Sequence, residues 1–176
     1  MSRIIGTRFP WTAIMLALAS MQVWGAQAPK AAATGPVPAQ IINAKKVFIS
    51  NLGGGCSRFG QSEFNGGPDR PYNEFYSAMK SWGRFELEAA PADAELDLEV
   101  SLPCPAARAN SPFGGSYGTD NDPQLSLVIR DVKTGIALWG LTEHIETAAL
   151  QSNRDKNFES AMRALVDRLE GLVAGH

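Results

Sequence analysis

The sequence holds few of the residues on which enzyme and metal chemistry usually rest. Of 176 residues only two are cysteine and two are histidine. His144 and the terminal His176 make no zinc site by themselves, since such sites draw on roughly three or four ligands. An excess of positive charge is also missing: 16 Lys and Arg face 18 Asp and Glu, a formal net charge of −2. Without a basic stripe to neutralise phosphates, nucleic acid is excluded as a partner. Internal repeats, collagen-like periods and coiled-coil patterns are lacking. At 44% apolar and 19% charged residues the composition is that of an ordinary globular chain, and the length suits one domain.

The chain has one long apolar run, and it lies at the start. Arg3 and Arg8 form a positive region, residues 9–24 are mostly apolar, and the small residues Gly25, Ala26 and Ala28 follow. That order of charge, apolar run and small residues is the pattern of a secretory signal peptide. The run is shorter than the roughly 20 residues a spanning helix needs. Val23 and Gly25 are small enough to flank a cut before Ala26, which would remove Arg3 and Arg8 and no acid and lower the charge by two, to −4. No cysteine sits near the cut, so a lipid anchor is not expected. Residues 26–44, with Pro29, Pro36 and Pro38, are expected to be an Ala/Pro-rich linker. Residues 45–174 are expected to form one domain in an exported, periplasmic or extracellular protein, with no stable membrane span once the signal is gone.

Within that domain the apolar pattern predicts a first strand over 46–52, stopped by Gly53, Gly54 and Gly55. Pro71 opens a helix in which Tyr72, Phe75, Met79 and Trp82 share a face, and Gly83 ends it. Short strands are expected over 84–88 and 95–102; in the second, Leu96, Leu98, Val100 and Leu102 alternate with polar residues. A hairpin is expected over 124–132 and 135–145, with Gly135 in the left-handed turn position. Leu125, Leu127 and Ile129 share a face on its first strand, and Trp139, Leu141 and Ile145 on its second. A closing helix over 155–173 buries Phe158, Met162, Leu165, Leu169 and Leu172, with Ser152 and Asp155 at capping-box spacing. The expected fold is α/β (α+β): a two-layer sandwich with a mixed sheet of about five strands and two helices on one face, in the order β-α-β-β-β-β-α.

Candidate chemistry is thin. Residues 55–62 nearly fit a phosphate-cradling loop, but Gln61 replaces the essential lysine and no helix follows. Glu143, His144 and Glu146 cluster at a strand end, where a carboxylate beside histidine could serve acid–base work; a solvated strand end is the plainer reading. Asp120, Asn121 and Asp122 could offer oxygens to calcium but lack EF-hand spacing. No catalytic residue, cofactor or metal is therefore expected. Phe59, Phe64, Phe113 and Tyr117 lie in glycine-rich loops; they could anchor a partner or tuck against the sheet edge. Val128, Ile136 and Leu138 could form an apolar strip on the face away from the helices. Cys56 and Cys104 follow the first and third strands. They share one end of the sheet if those strands are parallel. They lie at opposite ends if the second and third strands form a simple hairpin with the first and second parallel.

The run Ser81-Trp82-Gly83-Arg84-Phe85-Glu86-Leu87 resembles the helix-to-strand junction in the amino-terminal domain of the TolB translocation protein, and junctions in exported bacterial lipoproteins that assist envelope assembly. Residues 94–100 resemble the strand that follows it, 124–131 the next, and 158–172 the closing helix. This resemblance implies parallel first and third strands, and with them a disulfide between Cys56 and Cys104. It implies a non-enzymatic binding or assembly-accessory module of the bacterial envelope, with another envelope protein as partner. Two other functions stay open: a small exported hydrolase using Cys56 or the His144 cluster, and a small-ligand binder using the loops 53–70 and 103–123.

Overall fold

The computed structural model describes residues 35–58, 61–107 and 120–174. The expected signal peptide, linker residues 26–34, most of the long loop after Pro103, and the aromatics Phe59, Phe113 and Tyr117 lie outside the described residues.

The chain forms α1 (Ala39–Asn43), β1 (Lys46–Gly54), β2 (Ser57–Arg58), β3 (Gln61–Ser62), α2 (Arg70–Trp82), β4 (Glu86–Leu87), a 3-10 turn at Pro91–Asp93, β5 (Leu96–Leu102), β6 (Ala106–Ala107), β7 (Asp120–Asn121), β8 (Gln124–Asp131), β9 (Ala137–His144) and α3 (Gln151–Val173). The main sheet has the order β4-β1-β5-β8-β9. β4 and β5 flank β1 and both run parallel to it, whereas β5, β8 and β9 pair antiparallel. The fold is thus α+β with a mixed five-stranded sheet, and the second and third main strands do not form a hairpin. Two small ladders, β2 with β3 and β6 with β7, are additions in the loops.

Alternation sets the two faces of the sheet. Val47, Ile49, Leu96, Leu98, Val100, Leu125, Leu127, Ile129 and Leu141 point inward and are buried. α2 covers β1 and β5, and α3 covers β9 and β8. Phe75 and Met79 of α2 and Phe158 and Leu165 of α3 are fully enclosed. Each such side chain contributes about 1.5–3 kcal/mol relative to exposure. α2 ends at Gly83, whose φ of 68° suits the left-handed cap and whose N–H reaches the Met79 carbonyl at 3.1 Å.

Three local expectations are corrected. Residues 39–43, placed in the linker, form a helix because Ile41 finds a fully buried site in the core. The strand expected over 84–88 shrinks to Glu86–Leu87, which pair only with Lys46 and Val47 at the start of β1. α3 starts four residues earlier than the pattern suggests, and no side chain caps it. Asp155, expected in a capping box, binds Asn65 and Arg70 instead.

Candidate functional site

Because β1, β5 and β9 run one way and β8 alone runs against them, the C-terminal ends of β1, β5 and β9 and the start of β8 gather at one end of the sheet. α2 begins just after the loop that leaves this end, and the first turns of α3 bond to the same loop. Here β1 bends: its register with β5 shifts between Asn51 and Gly54. Gly54 has φ 107°, and a Cβ there would stand 2.5 Å from the Leu102 carbonyl oxygen. Only glycine fits so close a crossing of two backbones.

Just beyond the bend, the Sγ atoms of Cys56 and Cys104 are joined, with the Cα atoms 5.3 Å apart. The bridge ties the exit of β1 to the exit of β5. Cys56 is buried and Cys104 half-buried. Asn121 adds a second tie, donating from Nδ2 to the Ser57 carbonyl at 2.8 Å.

The loop after Cys56 is pinned to α3. The Glu63 N–H donates to the Cys56 carbonyl at 2.8 Å. The Glu63 carbonyl accepts from Gln151 Nε2 and Arg154 Nε, each at 3.0 Å. Asp155 accepts from the Asn65 backbone and side chain at 3.1 and 2.7 Å and from Arg70 Nη1 at 2.6 Å. Arg70 also holds Glu74 at 2.6 Å, and its guanidinium stacks 4.3 Å over the Phe158 ring. Burial opposes the Asp155 charge, but the Asn65 and Arg70 donors outweigh it and hold its pKa below the usual carboxylate range. Burial likewise opposes the Arg70 charge, and Glu74 and Asp155 overcome it.

A cavity of about 310 Å³ lies in this loop, lined mainly by apolar surface from Gly54, Gly55, Phe64, Pro68, Pro71 and Phe158. The Phe64 ring meets the Phe158 ring at a centroid distance of 5.3 Å and is buried, so it packs into the core instead of facing a partner. The resemblance of residues 55–62 to a phosphate loop dissolves here, because Ser57–Arg58 and Gln61–Ser62 pair as a small hairpin.

The His144 cluster does not converge. Glu143 pairs with Arg168, whereas exposed His144 meets Asp122 at 3.1 Å. That contact, with a further bond from Gln124, lowers the Asp122 pKa. The backbone carbonyl of Glu146 accepts from Asn157. Asn121 and Asp122 are engaged by these bonds, and the side chain of Asp120 lies outside the described residues. With its sulfur bonded to Cys104, Cys56 has no thiolate to act as a nucleophile.

The open face of the sheet is mostly polar. Phe48 and Val128 are half-buried among Ser50, Asp97, Glu99, Ser126 and Arg130, whereas Leu138, at the bulge in β9, packs against the hydrophobic core. Ile136 stays exposed in the turn before β9, so the apolar strip expected from Val128, Ile136 and Leu138 is broken. Glu99 takes two bonds from Arg130, at 2.8 and 3.1 Å. Ser50 donates to Asp97 at 2.8 Å, while the other Asp97 oxygen is buried without a partner among the described residues. Burial accordingly raises the Asp97 pKa.

The sequence reading did not single out Glu63, Arg70 or Phe158's stacking role. Glu63 lies in a polar, glycine-rich stretch without periodicity, and Arg70 precedes the proline that marks the helix. Neither carried a signal of its location.

No family model matches the chain, and no curated protein matches it significantly. Among solved structures it is similar to a PelC dodecamer from Paraburkholderia phytofirmans, at 13% identity, covering 80% of this chain and 95% of that one, with a TM-score of 0.43. It is similar to a Xanthomonas campestris protein of the DUF330 family, at 10% identity, covering 75% and 85%, TM-score 0.43. A third is the uncharacterized lipoprotein B of Nitrosomonas europaea, at 10% identity, covering 74% and 83%, TM-score 0.41. The kinship with the TolB amino-terminal domain is not confirmed by these comparisons. At this depth of similarity the likenesses assign no ligand, partner or assembly state to the chain.

Proposed function

We propose that this chain is an exported, non-enzymatic binding or assembly-accessory module of the bacterial cell envelope, and that the loops at the tied end of its sheet engage another envelope protein. The observation that carries this reading is the Cys56–Cys104 bridge. Such a bond persists in oxidising compartments, which supports export together with the leader-like start of the chain. It also holds two loop exits in one shape, which cuts the ordering cost of binding. The residues that resemble the TolB amino-terminal domain support an accessory role over a chemical one.

The test is site-specific photo-crosslinking in cells. A photoreactive residue placed at Ser57 or Pro68 is expected to capture a discrete envelope protein. The same residue at Lys133, in the turn at the other end of the sheet, is expected to capture none. Equal capture at all three positions, or none at any, would count against the reading.

The cavity beside the bridge favours a second reading, as a small-ligand binder. Its volume falls at the lower end for such sites, and its lining is largely apolar. Native mass spectrometry of the purified chain would then show a stoichiometric bound molecule that denaturation releases.

A further inference from the structure

Glu63 is buried, with 4% of its surface exposed, and its Oε2 has no hydrogen-bond partner among the described residues. Leaving a carboxylate oxygen in that state is unfavourable, so its position calls for a cause. Its backbone supplies the geometry: the N–H is bonded to Cys56 and the carbonyl to Gln151 and Arg154. The side chain meets the disulfide. One carboxylate oxygen of Glu63 and the sulfurs of Cys56 and Cys104 all lie within 4.8 Å of one another. A disulfide is neutral and a poor ligand, so in the bridged form it leaves Oε2 of Glu63 unsatisfied among the described residues. Two thiolates and a carboxylate at this spacing are another matter. They match the sulfur and oxygen donors of a borderline-soft divalent ion such as zinc.

We propose that reduction of the bridge creates a zinc-class metal site whose ligands are Cys56, Cys104 and Glu63. The reductant is a protein dithiol. It transfers two electrons and two protons to the bridge, its own two sulfurs pair, and Cys56 and Cys104 become thiols. On binding the ion each thiol releases its proton to solvent. Cys56 borders the apolar cavity, from which a water can reach the remaining position on the ion. The same cysteines therefore staple the loops in one redox state and clamp a metal in the other.

The full mature chain is titrated with Co²⁺, in its oxidised form and after reduction by a phosphine, and Zn²⁺ is then used to displace the cobalt. The readouts are thiolate-to-cobalt charge-transfer absorption and far-UV circular dichroism. The oxidised chain is expected to bind neither ion. The reduced chain is expected to bind one equivalent, and Glu63→Gln to weaken binding by about tenfold or more. If the reduced chain loses structure, addition of Zn²⁺ is expected to restore it. Zinc X-ray absorption on the reduced wild type is expected to show two sulfur neighbours and at least one oxygen, which keeps the test independent of how Glu63→Gln folds. Absence of metal uptake by the reduced chain, undiminished affinity in a folded Glu63→Gln variant, or a zinc shell without sulfur would overturn the proposal.

Discussion

Arg70 at the start of α2 and Asp155 in the first turns of α3 meet at 2.6 Å, with side chains only 11% and 18% exposed. This pair links both helices and, through Asn65, the loop that follows the disulfide. Arg70→Ala should therefore cost about 2–3 kcal/mol, because it strands a partly buried carboxylate and removes the stack on Phe158. Urea unfolding measures this. Asp155 also gives the effect a pH signature. Its folded pKa is lowered, so its contribution is complete above the unfolded value of about 4 and fades as pH falls through the folded value. The stability gap between wild type and Asp155→Asn should narrow accordingly on acidification.

Gly54→Ala is expected to destabilise by about 2–4 kcal/mol, since the new Cβ meets the Leu102 carbonyl in a backbone conformation that L-residues avoid. Gly35→Ala, where nothing lies within 4 Å, is the control and should be close to neutral. Thermal melts of the two variants make the comparison.

Phe64→Ala should cost about 3–4 kcal/mol, as for a large aromatic lost from a core. A partner-facing aromatic would instead leave the melting temperature unchanged, so differential scanning calorimetry separates the two roles.

The joint Cys56→Ser and Cys104→Ser variant loses a cross-link between residues 48 apart. The chain-entropy relation places the loss at about 4 kcal/mol. A denaturation midpoint equal to that of the oxidised wild type would contradict this.

Asp97→Asn should show the opposite pH trend to Asp155→Asn. Burial raises the Asp97 pKa, so wild type loses stability as pH climbs from the unfolded value to the raised folded value. The variant lacks that loss. It should gain on wild type between acid and neutral pH in parallel urea titrations.

The main elements were legible in the sequence because their burial is periodic. Leu96, Leu98, Val100 and Leu102 alternate cleanly, and each is buried. Phe158, Met162, Leu165, Leu169 and Leu172 recur at helical spacing and are buried too. The start of α3 was not legible: residues 151–154 are polar, and their helical state depends on Gln151 and Arg154 reaching a carbonyl some 90 residues earlier. The same holds for the site. Glu63 is brought to Cys56 by the small β2–β3 hairpin and to Cys104 only through the fold, and no apolar periodicity marks that hairpin. Cys56 and Cys104 themselves could be placed at one sheet end only after strand direction was known.

The turn Asp131 to Gly135 lies at the pole of the sheet away from the disulfide, closed by its own bonds from Thr134 and Gly135 to Asp131. Lys133 there is exposed and outside every cavity described above. A dye, bead or fusion partner attached at that lysine would leave the stapled loops pointing outward, giving all immobilised copies a single orientation for binding measurements.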